Sequence, residues 1–74
     1  METAFVLLIC EIGFEGDTIK HMKPIPEVKL AFRLYGVYDI ILRLETDTRE
    51  DLTESVKKIK QMEKVNSILT MIVV

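Results

Sequence analysis

The chain lacks almost everything that usually staples a small domain. Among its 74 residues there is one cysteine, Cys10, and one histidine, His21. One cysteine closes no intrachain disulfide, and the two residues together do not complete a four-ligand zinc site. No CxxC, HExxH or glycine-rich phosphate loop occurs, and no Cys–His pair has a useful spacing. No catalytic residue, metal ligand or cofactor is therefore assigned, and the chain is not expected to be an enzyme. An excess of basic charge is also missing: ten Lys+Arg stand against twelve Asp+Glu, for a net charge of −2 and a pI near 5.3. With no lysine- or arginine-rich surface to follow phosphates, direct nucleic-acid binding is not expected. The longest apolar run, Ala4 to Cys10, falls far short of the ~20 residues of a membrane helix. Glu2 and the absence of a basic leader argue against a signal peptide, so a soluble, cytoplasmic protein with no membrane partner is expected.

What the chain has in surplus is apolar surface. Hydrophobic residues make up 49% and the mean hydropathy is +0.22. A globule this small buries only about 60% of its unfolded surface, and its core rarely supplies more than roughly 3–5 kcal/mol. An apolar surplus without a staple points to oligomerisation.

Strand and helix signals alternate in a simple order. Residues 3–11 are a β-rich apolar run, which reads as a strand buried on both faces. Gly13 and Gly16 interrupt it, and Asp17 is the expected cap of a short helix to about Lys23, with Ile19 and Met22 as its apolar stripe. Pro24 and Pro26 end that helix. In residues 28–35, Val28, Leu30, Phe32 and Leu34 alternate with more polar neighbours, as on a strand with one apolar face. Gly36 marks a hairpin turn into a third strand, 38–45. Asp47-Thr48-Arg49-Glu50 resembles a capping box, with Asp47 as cap, for a helix to about Gln61. Leu52, Val56 and Ile59 form its stripe, and Lys57, Lys58 and Lys60 its solvated face. Residues 65–74 close the chain as a fourth strand.

A shift of 37 residues, half of 74, pairs Ile19 with Val56, Met22 with Ile59, Ile25 with Met62 and Val28 with Val65. The chain thus reads as one α+β domain over residues 1–74. Its expected fold is ferredoxin-like βαββαβ, a four-stranded antiparallel sheet with the first and third strands central. Right-handed crossovers place both helices on one face. The other face is expected to be covered by a second subunit, since monomers rarely expose so large an apolar patch.

Tyr35-Gly36-Val37-Tyr38-Asp39 is the segment with chemical potential. Glycine at a turn leaves backbone N–H groups accessible to an α-carboxylate, and Asp39 offers a carboxylate to an α-ammonium. The plainer reading is that Asp39 accepts hydrogen bonds from the turn. Cys10 reads as a small hydrophobe closing a core strand, His21 as a surface residue, and the four methionines as core filling.

The whole chain resembles the effector-binding (RAM) domain of the Lrp/AsnC transcription regulators. The resemblance rests on AFVLLICE, on IPEVKLAFRLYGVYDIILRLE with its YG-x-YD turn, and on the closing V-x-x-x-x-T-x-I-V-V strand. It implies a dimer through the open sheet face, assembly into larger rings, and an effector, commonly an amino acid, bound near the turn between dimers. By position it implies that Gly36, Tyr38, Asp39 and Thr70 line that site. Ile68 stands where the family's last strand often carries threonine. No segment is left for the helix-turn-helix of the full-length regulators, which are implied as possible partners of a stand-alone effector module. Two other classes fit the pattern: a small dimeric α/β-barrel enzyme of the cofactor-free monooxygenase or isomerase type, for which His21 is the one polar candidate, and a purely structural oligomerisation domain.

Overall fold

The computed structural model describes all 74 residues. The elements run β1 (Glu2–Cys10), α1 (Glu15–Met22), β2 (Val28–Arg33), β3 (Ile40–Thr46), α2 (Arg49–Lys60) and β4 (Val65–Ile72). All strand pairs are antiparallel in the order β2-β3-β1-β4, so β1 and β3 are central and β2 and β4 form the edges, as expected.

Burial alternates along the central strands because successive side chains point to opposite faces. Ala4, Val6, Leu8 and Cys10 of β1 and Ile40, Leu42 and Leu44 of β3 are buried, and each residue between them is only half-buried. The buried set meets Met22 of α1 and Leu52 and Ile59 of α2, which completes a core of 11 residues with Val28. The expected two-sided burial of β1 is thus met on the helix face alone within one chain.

The internal repeat has a direct structural counterpart at the helix exits. The Ile25 N–H donates to the Met22 carbonyl and the Val28 N–H to Ile25, at 3.1 and 3.0 Å. In the second half the Met62 N–H donates to Ile59 and the Val65 N–H to Met62, both at 3.1 Å. Each helix therefore enters its edge strand through the same pair of tight turns, and the apolar residues that align in sequence occupy equivalent places.

Three local expectations are corrected. Helix α1 begins at Glu15, with Phe14 at its cap and no capping side chain, so Asp17 lies inside the first turn, where its charge still favours the helix N-terminus. In α2 the cap is Thr48 and not Asp47; its side chain accepts the Asp51 N–H at 3.1 Å. In β2 the alternation Val28, Leu30, Phe32, Leu34 does not share one face. The register passes from Val28↔Leu44 to Leu30↔Arg43, a bulge at Lys29 that moves the strand's parity by one. Val28 and Ala31 consequently pack on the core, Leu30 and Phe32 turn to the helix-free face, and Leu34 lies beyond the strand.

That helix-free face carries Leu30, Phe32, Ile41, Phe5, Leu7, Leu69 and Met71, around an Arg43–Glu45 ion pair. Phe32 is 57% exposed and Leu69 43%. By contrast, the core residues on the other side are sealed. Leu42→Ala, which removes a fully buried side chain from the central strand, is expected to lower unfolding free energy by about 2–5 kcal/mol in urea denaturation. Thr48→Ala, which removes the α2 cap, is expected to cost about 1 kcal/mol in the same measurement.

Candidate functional site

The β2–β3 connection, residues 34–39, stands at one end of the sheet. Gly36 has φ +152°, in the range that favours glycine, and open space lies where a Cβ would project. Backbone conformation and not crowding therefore selects glycine here. Tyr35, Gly36 and Val37 are exposed, while Tyr38 and Asp39 are half-buried.

Asp39 fastens this loop to β1. Its N–H donates to the Leu8 carbonyl at 2.8 Å, and its carbonyl accepts the Leu34 N–H at 2.8 Å. Its Oδ2 accepts the Cys10 N–H at 2.9 Å and lies 3.7 Å from the Cys10 Sγ. The carboxylate is thus bound to the neighbouring strand and not to its own turn, which corrects the plainer expectation. The local cause is the end of the β1–β3 ladder at Leu8↔Ile40: the Cys10 N–H, on the same edge of β1 as the Leu8 carbonyl, has no β3 residue opposite it. Both recorded contacts use Oδ2, so Oδ1 has no protein donor.

Cys10 is buried, as expected of a core hydrophobe, but its contact with Asp39 could not be read from spacing, since the two lie 29 residues apart. Burial, followed by the negative charge of Asp39, pushes the Cys10 thiol above its ordinary pKa of 9.0, and the Thr18 hydroxyl acts the other way. The thiol therefore stays protonated and unreactive at neutral pH.

Thr70 is not part of this cluster within one chain. It pairs with Val6 on the helix side of the edge strand β4, on the order of 12 Å from the Leu8–Asp39 bond by strand spacing and rise. Gly36, Tyr38 and Asp39 share the loop. Ile68 pairs with Leu8 and packs on the core.

At this same end a groove of about 300 Å³ opens between α1 and the start of β4, with Phe14, Thr18 and Met62 in its walls. The Lys64 ammonium lies 4.3 Å from the Phe14 ring centroid. His21 borders the groove but is exposed, so the polar group that an enzyme reading would need inside an apolar cavity is in solvent. No group of three or more His, Cys, Asp or Glu side chains is placed to hold a metal ion.

Residues 3–74 match the family model described as the Lrp/AsnC ligand binding domain. The chain belongs to the Lrp/AsnC ligand-binding-domain family. Among solved structures it is similar to hypothetical protein PHS023 from Pyrococcus horikoshii, with 39% identity and a TM-score of 0.95 over 100% of this chain and 90% of the other. It is equally similar to FFRP-DM1, with 39% identity and a TM-score of 0.97 over the full length of both. E. coli AsnC shares the fold, with 20% identity and a TM-score of 0.87 over 97% of this chain and 50% of AsnC. Among curated proteins none matches the chain. Membership of the Lrp/AsnC family makes this a ligand-binding domain of the transcription-regulator type, and no helix is long and apolar enough to cross a membrane.

Two outcomes test the Asp39 cluster. Asp39→Ala leaves the Cys10 N–H without its acceptor and is expected to destabilise the fold by about 1–3 kcal/mol, read from denaturant unfolding, whereas Asp39→Asn retains an acceptor and costs less. Because the thiol pKa is raised on folding, its contribution is full below the unfolded value near 9 and is lost as pH rises through the folded value. Unfolding free energy is therefore expected to decline above about pH 9, and the Cys10→Ala variant to show a smaller decline.

Proposed function

We propose that this chain is a small-effector-sensing, oligomer-forming regulatory module, and that its effector is an amino acid. The observation that carries this reading is the 34–39 loop. There a glycine turn with exposed backbone stands beside a fixed carboxylate whose Oδ1 is free of protein donors. Turn N–H groups suit an α-carboxylate, and the Asp39 oxygen suits an α-ammonium. Gly36, Tyr38 and Asp39 are the proposed ligand-binding residues of one subunit. The distance of Thr70 from them favours its joining the site from a neighbouring subunit.

A second copy is the proposed cover of the helix-free face, and larger rings are the proposed assembly of such dimers. Exposure of Leu30, Phe32, Leu69 and Met71 supports this. Sensing then works by linkage. The amino acid binds one assembly better than another and shifts their balance only by that difference in affinity. The same mechanism accommodates mixed assembly with full-length Lrp/AsnC-type regulators, in which a chain of these 74 residues alters how many DNA-binding heads a ring carries. The exposure of His21 counts against the enzyme alternative.

A thermal-shift series with the twenty amino acids tests the sensing role. A cognate ligand at 100 times its Kd adds about 2.7 kcal/mol, which for a domain this small raises Tm on the order of 10–20 °C. Asp39→Asn keeps the acceptor for Cys10 but removes the charge, and is expected to abolish that response. A response to none of the twenty would leave the structural oligomerisation domain as the better reading.

A further inference from the structure

A second cleft lies at the opposite end of the sheet, where β3 ends at Thr46, α2 begins and the 26–29 turn enters β2. It measures about 480 Å³ and is lined by a single hydrophobic residue. Its lining includes the acidic residues Glu27, Glu45, Asp47, Asp51 and Glu54 and the basic residues Lys29 and Lys58, the Glu45 side chain being turned to the helix-free face. Glu45 is engaged by Arg43, and Lys29 donates to the Pro26 carbonyl at 3.0 Å. The other four carboxylates make no ion pair within the protein.

Helix α2 builds one wall by spacing. Asp51, Glu54, Ser55 and Lys58 stand at i, i+3, i+4 and i+7, one stripe beside the apolar stripe that holds the helix to the sheet. Ser55 is only 5% exposed. The nearby side-chain oxygens of Thr46, Thr48 and Thr53 all have backbone partners, but the Ser55 hydroxyl has none. No fully buried polar side-chain atom is left unpaired in this protein, so the Ser55 Oγ keeps some accessible surface, and Ser55 is one of the residues lining the cleft. A serine held against the sheet, with its hydroxyl free of protein partners and accessible beside the acidic residues, is a hydrogen-bonding position open to a ligand.

The charge is negative but dispersed. No three carboxylates converge closely enough to hold a metal ion, which disfavours a compact divalent cation. Separated carboxylates match a ligand whose positive charges are separated too, and a cleft of this size takes a small organic molecule. We propose that this cleft binds an aliphatic polyamine, whose ammonium groups pair with Glu27, Asp47, Asp51 and Glu54 while one N–H group donates to the Ser55 hydroxyl. The cleft is distinct from the Asp39 loop, which lies at the other end of β3.

Titration of the ¹⁵N-labelled chain with spermidine at constant ionic strength tests the assignment. Saturable amide shifts are expected to concentrate in residues 26–29 and 45–58, with Mg²⁺ at equal ionic strength failing to reproduce them. Glu54→Gln, at an exposed position that leaves the fold intact, is expected to weaken spermidine about 5- to 10-fold, and Ser55→Ala several-fold. Shifts spread over all surface carboxylates, equal competition by Mg²⁺, or affinity unchanged in Glu54→Gln would each overturn the proposal.

Discussion

Four strands and two helices in βαββαβ order cannot cover both faces of their own sheet. Met22 of α1 and Leu52 and Ile59 of α2 pack into one core, so both helices fall on one side, as right-handed crossovers require, and much else about this chain follows from that asymmetry. On the covered side the packing is complete: the core residues of β1 and β3 are sealed under Met22, Leu52 and Ile59. On the other side Phe5, Leu7 and Ile41 have no partner element in the chain. The proposed second copy supplies one without a longer sequence, a disulfide or a metal.

The same geometry sorts the chemistry to the ends of the sheet. At one end the β2–β3 loop is tied to β1 through Asp39, whose carboxylate does two things at once. It satisfies the Cys10 N–H beyond the end of the β1–β3 ladder, and it leaves one oxygen without a protein donor. A residue that both anchors a loop and presents a charge would give the proposed ligand a direct mechanical grip on the central strand. At the other end the polar stripe of α2 frames a cleft of opposite character, broad and acidic.

Much of this was legible in the residues. The doubled β1 apolarity, the 37-residue repeat and the two proline- and glycine-marked breaks specify the element order and the central strands, because burial periodicity and helix exits are local properties. The YG-x-YD turn stands out for the same reason: glycine at a positive φ is a local demand. What escaped was set by register. Nothing in VKLAFR reveals that Lys29 bulges and sends Leu30 and Phe32 to the open face, since the bulge exists only against Leu44 and Arg43 of β3. The Cys10–Asp39 contact and the separation of Thr70 from it likewise depend on which residues face one another across three strands. The unspent Ser55 hydroxyl is a matter of side-chain surroundings that no helical spacing discloses.

The helix-free face is proposed to be closed by a second copy of the chain. Sedimentation equilibrium at micromolar concentration tests it most directly. A mass at least twice that of the 8.6 kDa chain is expected. A single species at the mass of one chain would contradict it.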